Sequence, residues 1–155
     1  MKKILLSLVI TIFAASLKVE AQEYQTALGA KFYATDFTSG GINIRHATSQ
    51  KNALEGTLLF FDGGLGVEGL YEFQGPINGA PGLQYYVGGG GMLAFGTGRF
   101  NNNSTAFALR LTGGLDYKFT DVPIDLSLGF DPFFYLAPAT GSDLSLGLGI
   151  RYVIK

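Results

Sequence analysis

The chain contains 155 residues, a length that fits one domain. Charged residues make up only 15% of it and hydrophobic residues 47%, whereas about a quarter of an average soluble domain is charged. The formal net charge is −1, so the chain lacks the excess of basic residues that is typical of nucleic-acid-binding proteins. The sequence contains no cysteine. Nucleic-acid binding, a disulfide framework and a thiolate metal site are therefore not expected.

The N-terminus has the pattern of a secretory signal peptide. Lys2 and Lys3 precede an apolar run at residues 4–15, and a small-residue cleavage pattern ends at Ala21. The run is shorter than the roughly 20 apolar residues that a spanning helix needs, and no later run approaches that length. We therefore expect residues 1–21 to be removed after export and residues 22–155 to form one mature domain. If that domain lies in a membrane, it must cross the membrane as strands.

The mature chain consists of segments in which apolar and polar residues alternate. In the last segment, residues 144–154, every even-numbered position is leucine, isoleucine or tyrosine, a pattern that predicts a β-strand. About eleven residues at roughly 3.3 Å rise, tilted near 45°, reach about 25 Å, the height of the apolar band of an outer-membrane barrel. The chain contains eight such segments, at residues 24–34, 42–47, 54–61, 64–73, 83–95, 107–119, 124–134 and 144–154.

The Asp62-Gly63 dipeptide predicts the register of one hairpin. A two-residue Asp-Gly loop favours a tight type I′ turn, which would pair Phe61 with Gly64. Continued along the strands, this register pairs apolar residues with apolar residues or glycine on one face. Turn chemistry and alternation therefore predict the same hairpin.

The direction of the apolar face separates a membrane barrel from a soluble one. The opposite face carries mostly small residues and charges of both signs, which can neutralise one another in a narrow lumen. If Phe119 pairs with Ile124, Lys118 lies opposite Asp125. The ionisable residues that we expect in the lumen are Lys31, Arg45, Glu55, Glu68, Glu72, Arg110, Asp116, Lys118, Asp125, Asp131 and Arg151.

Aromatic residues concentrate near the segment ends, as do the interfacial girdles of outer-membrane barrels. Examples are Tyr24, Tyr71, Phe73, Phe95, Phe107, Phe119 and Tyr152. With the signal peptide, these features predict an all-β, eight-stranded antiparallel up-and-down transmembrane β-barrel in the outer membrane, with its apolar face toward lipid.

Several segments resemble the small eight-stranded outer-membrane barrels of the OmpA/OmpX kind, and especially the outer-membrane β-barrel domains of Bacteroidetes-type Gram-negative bacteria. The resemblance is carried by residues 52–56 (NALEG), 69–73 (GLYEF), 85–90 (YYVGGG), 122–128 (VPIDLSL), 131–132 (DP) and 149–152 (GIRY). It implies a barrel fold and carries no activity. Many such proteins end on an aromatic residue that the assembly machinery recognises, whereas here Ile154 takes the corresponding position, with Tyr152 before it.

No motif supports catalysis or a cofactor. Residues 64–69 match G-x-G-x-x-G, but they lie within a predicted strand and lack the strand-to-helix context of a dinucleotide site. His46 is the only histidine, which makes a transition-metal site improbable. By alternation it lies on the lipid face, opposite to Ser127 and Ser145, which argues against a Ser-His-acid triad. We predict no catalytic residue, no metal and no cofactor.

The sequence therefore predicts a non-enzymatic integral outer-membrane protein with a side-chain-filled lumen and a structural or surface-contact role. The candidate contact residues lie in the most polar loop and are Arg99, Phe100, Asn101, Asn102 and Asn103. Outer-membrane lipid and the barrel-assembly machinery are the expected partners, and the oligomeric state stays open. The alternatives are an exported lipocalin-like barrel that binds an apolar ligand, a lipid-modifying enzyme and an ion-conducting pore.

Overall fold

The computed structural model describes residues 26–34, 39–96 and 105–154. The predicted signal peptide at residues 1–21 and the candidate contact residues 99–103 lie outside this part of the chain. The described residues form eight strands: β1 (Thr26–Ala34), β2 (Ser39–Ala47), β3 (Asn52–Phe61), β4 (Gly64–Pro76), β5 (Leu83–Phe95), β6 (Thr105–Lys118), β7 (Ile124–Ala137) and β8 (Gly141–Ile154).

Each strand pairs antiparallel with the next, and β8 pairs with β1, so the sheet closes into a barrel. Closure leaves no free sheet edge, because every strand has two neighbours. The predicted eight-stranded up-and-down barrel is therefore confirmed. Among the described residues, no helix has the length and apolar character needed to cross a membrane.

The β3–β4 hairpin has the register that its turn predicts. Phe61 lies opposite Gly64, Leu58 opposite Val67 and Leu54 opposite Tyr71. Gly63 has a φ of 78°, a left-handed conformation that glycine adopts without steric cost. Turn chemistry and alternation thus lead to the same pairing.

The predicted pairing at the start of β7 is also present. Lys118 lies opposite Asp125, and the Phe119 N–H donates to the Ile124 carbonyl at 3.0 Å. Farther along, the β6–β7 ladder is interrupted: it runs to Gly113 opposite Phe130 and resumes at Arg110 opposite Phe133. Pro132 lies in this interruption and has no backbone N–H to donate.

Several strands are longer than the alternation alone indicates. β2 already begins at Ser39, β4 continues to Pro76, and β8 begins at Gly141. The connection between β7 and β8 is consequently shorter than the gap between the predicted segments 124–134 and 144–154, because Tyr135 still pairs with Gly141. Glycine, serine and proline mark these segments as loops by composition, whereas main-chain pairing with a neighbour keeps them in the sheet.

The apolar face of every strand points outward. On β8, 53% of Leu148 and 49% of Ile150 are exposed, whereas the Arg151 side chain between Ile150 and Tyr152 is buried. A lipocalin-like barrel needs the opposite orientation, with the apolar face around an internal ligand. The structure instead buries the charged face and exposes the leucines.

Aromatic residues form two belts on the outside of the barrel. Tyr85 and Phe95 stand at opposite ends of β5, as Phe107 and Tyr117 do on β6. Each pair is separated by ten positions, which at about 3.3 Å per residue and about 40° of tilt places the belts about 25 Å apart. This distance matches the apolar band of an outer-membrane barrel.

The outward orientation predicts a depth-dependent cost of charge. Leu148 lies at the middle of β8, and we expect Leu148→Arg to lower the free energy of unfolding in phospholipid vesicles by about 2–4 kcal/mol. Ile154→Arg, at the strand end, should cost only about 0–1 kcal/mol. Urea titrations followed by circular dichroism measure both values, and equal costs at the two positions would contradict the orientation.

Candidate functional site in the barrel lumen

The guanidinium of Arg151 on β8 is the centre of a buried network. Its Nη1 lies 2.8 Å from Asp125 Oδ1 on β7, and its Nη2 lies 2.8 Å from Glu55 Oε2 on β3. Its Nε donates to Asn43 Oδ1 on β2 at 2.6 Å, and Nη2 also donates to Ser127 Oγ at 3.0 Å. One planar side chain with several fixed donors therefore joins strands on different sides of the barrel.

Two further cations extend this network. Arg45 on β2 bonds Glu72 Oε2 on β4 through Nε at 2.8 Å, and its Nη1 lies 2.9 Å from Asp116 Oδ2 on β6. Lys31 Nζ on β1 donates to Glu55 Oε1 at 2.5 Å, so Glu55 accepts from both Lys31 and Arg151. Every strand from β1 to β8 except β5 contributes a charged side chain to this connected cluster.

A second cluster lies nearer to the end of the barrel that is opposite to the chain termini. Arg110 Nε on β6 lies 2.5 Å from Glu68 Oε2 on β4, and the Tyr33 hydroxyl donates to Glu68 Oε1 at 2.5 Å. The Arg110 guanidinium stands 4.6 Å from the Tyr33 ring centroid and 4.9 Å from that of Phe133. Two aromatic faces and a carboxylate therefore hold this arginine.

Apolar side chains pack against one another in the lumen beyond the second cluster, toward the barrel end opposite to the chain termini. Leu59, Met92 and Tyr33 pack there with small residues, and each of these three is less than a tenth exposed. The small residues of this plug are Ala94, Ala106 and Ala108, and Phe61 and Tyr135 pack against it. The sequence analysis expected a lumen of small residues and charges and missed this apolar plug.

The charges buried in the described lumen do not sum to zero. The six buried acids are Glu55, Glu68, Glu72, Asp116, Asp125 and Asp131, and the four buried bases are Lys31, Arg45, Arg110 and Arg151. Half-buried Lys118 stands opposite Asp125 at one barrel end and supplies a fifth positive charge. Most of the acids are therefore compensated by direct contact or by a neighbour in the ladder.

Asp131 differs from the other buried acids. It is fully buried, and neither carboxylate oxygen has a hydrogen-bond partner among the described residues. A side chain added at Gly147 on β8 would collide with this carboxylate and meet the Lys31 side chain, so both groups pack over the same glycine. The Lys31 side chain therefore lies near Asp131 without a direct ion pair to it.

The structure places each predicted lumen residue on the inner side of the barrel wall. Most of them meet in the two clusters, whereas Lys118 lies at the rim and Asp131 makes no direct ion pair within the described residues. The sequence analysis did not identify the neutral partners of these charges, which are Tyr33, Asn43, Tyr86, Ser127 and Phe133. The sequence does indicate that these side chains point into the lumen, because each occupies an inward position of the alternation.

The residues considered for catalysis stay apart. His46 is half-buried on the outer side, where its Nδ1 lies 2.8 Å from Thr26 Oγ1, whereas Ser127 and Ser145 are buried in the lumen. Residues 64–69 lie within β4, without the helix that a dinucleotide site requires. The described residues contain no group of three or more histidine and acidic side chains arranged to hold a metal ion.

This geometry defines a class of protein. A closed antiparallel barrel with an apolar exterior, two aromatic belts and a polar interior is the architecture of small outer-membrane barrels.

No protein-family model matches the sequence, and neither does any curated protein sequence.

Solved structures confirm the fold. The crystal structure of the N-terminal β-barrel domain of Pseudomonas aeruginosa OprF matches with a TM-score of 0.69 and 18% identity, over 84% of this chain and 97% of that chain. The crystal structure of Neisserial surface protein A (NspA) matches with a TM-score of 0.50 and 14% identity, over 83% and 95% of the two chains. The chain therefore has the fold of a small OmpA/OmpX-like outer-membrane barrel.

The network predicts that Arg151 is more important for stability than a charge at the rim. Arg151→Met leaves Glu55 and Asp125 without their central partner, and breaking a buried pair in this way costs about 3–5 kcal/mol. Lys118→Met is the matched control and should cost about 1 kcal/mol or less, because its position is partly exposed. Urea unfolding in vesicles gives both values, and equal losses would show that Arg151 is not the centre of the network.

Proposed function

We propose that this protein is an integral outer-membrane β-barrel whose lumen is closed by its own side chains and whose role is structural or a contact at the cell surface. The observation that supports the proposal is the packing of ion pairs and apolar side chains inside the described part of the barrel. The ion pairs around Arg151 occupy one half of the barrel, and the apolar plug of Leu59 and Met92 occupies the other. Eight strands leave an interior that side chains can fill, so no continuous aqueous path is expected.

The same arrangement supports a non-enzymatic role. Ser127 Oγ and Ser145 Oγ are engaged with Arg151 and with the Asp131 carbonyl, respectively, inside the lumen. His46 lies on the other side of the barrel wall. A nucleophile and its base must lie within hydrogen-bond reach of each other, and the wall prevents this here.

The expected partners follow from the outer surface and the C-terminal strand. The outward leucines of β8 provide an apolar surface that outer-membrane lipid would cover. Exposed Tyr152 and Ile154 continue this alternation, although Ile154 stands where many such barrels have an aromatic residue, and the barrel-assembly machinery would be the partner that inserts the strand. Surface contact would fall on residues 99–103, which connect β5 and β6 outside the described residues.

A closed lumen predicts that the protein does not conduct ions across a bilayer. The purified full-length mature chain, reconstituted in planar lipid bilayers, should give no steady single-channel conductance at neutral pH, because ion pairs and apolar side chains fill the path. A general porin reconstituted in parallel shows that the bilayers respond. Reproducible conductance steps from this chain would contradict the closed lumen.

The proposed orientation places both termini in the periplasm, and it can be tested because the chain has no cysteine. Thr140→Cys, in the β7–β8 connection, should react with a membrane-impermeant maleimide on intact cells. Asp121→Cys, in the β6–β7 connection at the other end of the barrel, should react only after the outer membrane is permeabilised. The reverse pattern would contradict this orientation.

A further inference from the structure

The outer wall of the barrel contains a groove across β5, β6 and β7. It has a volume of about 290 Å³, and Val87, Leu111, Phe130 and Pro132 stand around a floor that includes Gly113. For comparison, an enclosed apolar cavity of about 150 Å³ is large enough to hold benzene. The groove therefore offers room for part of an apolar molecule.

Two local features of the sequence create this groove. Gly113 lies between Val87 on β5 and Phe130 on β7 in the ladders, so the wall lacks a side chain where its neighbours have large ones. The β6–β7 ladder is also interrupted beside Pro132, which cannot donate a backbone hydrogen bond. A missing side chain and a missing hydrogen bond thus occur at adjacent places in the wall.

The position of the groove determines what can fill it. Gly113 lies on β6 between Phe107 and Tyr117, which belong to the two aromatic belts. None of the described residues that line the groove is charged, and its rim is continuous with the outward apolar surface. At this height in an outer-membrane barrel, the surrounding medium is hydrocarbon.

We propose that the groove at Gly113 is a binding site for one acyl chain of a membrane lipid. The proposal rests on the membrane location proposed above. Lipid tails are as apolar as leucine, so the hydrophobic effect does not drive this contact. The chain binds because an unfilled groove loses dispersion contacts, and a segment of acyl chain restores them against Val87, Leu111 and Phe130.

The structure provides a substitution that fills the groove and a matched control. A Cβ at Gly113 would have its nearest neighbours at 3.7 Å and 4.0 Å, so Gly113→Leu fits without displacing the backbone. Gly69 on β4 also faces outward, away from the groove, and a Cβ there meets nothing within 4 Å. Gly69→Leu therefore makes the same chemical change on the same apolar wall. Gly113→Val provides a second, smaller filling variant.

The experiment uses the full-length mature chain in vesicles that contain a phospholipid with a photoreactive diazirine on its acyl chain. After irradiation, mass spectrometry compares labelling of Leu111 and Phe130 with labelling of Leu148 on the smooth wall of β8. We expect the groove residues of the natural chain to be labelled in excess of Leu148. Gly113→Leu should reduce this excess to the level of Leu148, and Gly69→Leu should leave it unchanged.

Three outcomes would overturn the acyl-chain site. The first is equal labelling around the natural barrel, and the second is an unchanged excess in both variants that fill the groove. The third is a disulfide between two chains of the Leu111→Cys variant, formed without irradiation, which would show a second copy in the groove. The membrane location fails separately, because in that case Leu148 would also remain unlabelled. Urea unfolding of each variant shows whether it is folded.

Discussion

The structure depends on the compensation of charge inside a closed barrel. Four buried cations and six buried carboxylates occupy the described lumen, and removing such groups from water is expensive unless they are paired and hydrogen-bonded. Arg151 meets most of this requirement for one half of the barrel, because its guanidinium contacts side chains on β2, β3 and β7 at once. The register of every strand except β5 is therefore constrained, since a shift by one residue would turn the charges of that strand toward the outside.

The fold was predictable because two independent patterns agree. Alternation fixes which residues share a face, and the Asp62-Gly63 turn fixes the register of β3 against β4, as the pairing of Leu58 with Val67 confirms. Alternation alone could not show whether the apolar face points toward lipid or toward the interior. That prediction depended on the small side chains of the polar face. The strand ends were less predictable, because Ser39 and Gly141 carry loop composition but pair with neighbouring strands.

The lumen was predictable residue by residue but not contact by contact. Its charged residues could be identified from their positions in the alternation. The ion-pair partner of each charged residue depends on strand stagger around the barrel, which brings Arg151 of β8 to Glu55 of β3. The apolar plug was missed because Leu59 and Met92 look like breaks in a polar face when each strand is considered alone. The interruption at Pro132 illustrates the same limit, since the resulting groove needs Gly113 on the neighbouring strand.

The outward leucines and isoleucines are expected to face hydrocarbon, while the paired charges face the barrel axis. Nitroxide labels placed one at a time at Leu144, Leu146, Leu148 and Ile150, in a chain reconstituted in vesicles, test this orientation most directly. Apolar oxygen should collide with all four labels, with the highest accessibility relative to a polar nickel complex near the middle of the series. Uniform access of the nickel complex, or protection of all four labels from both reagents, would contradict it.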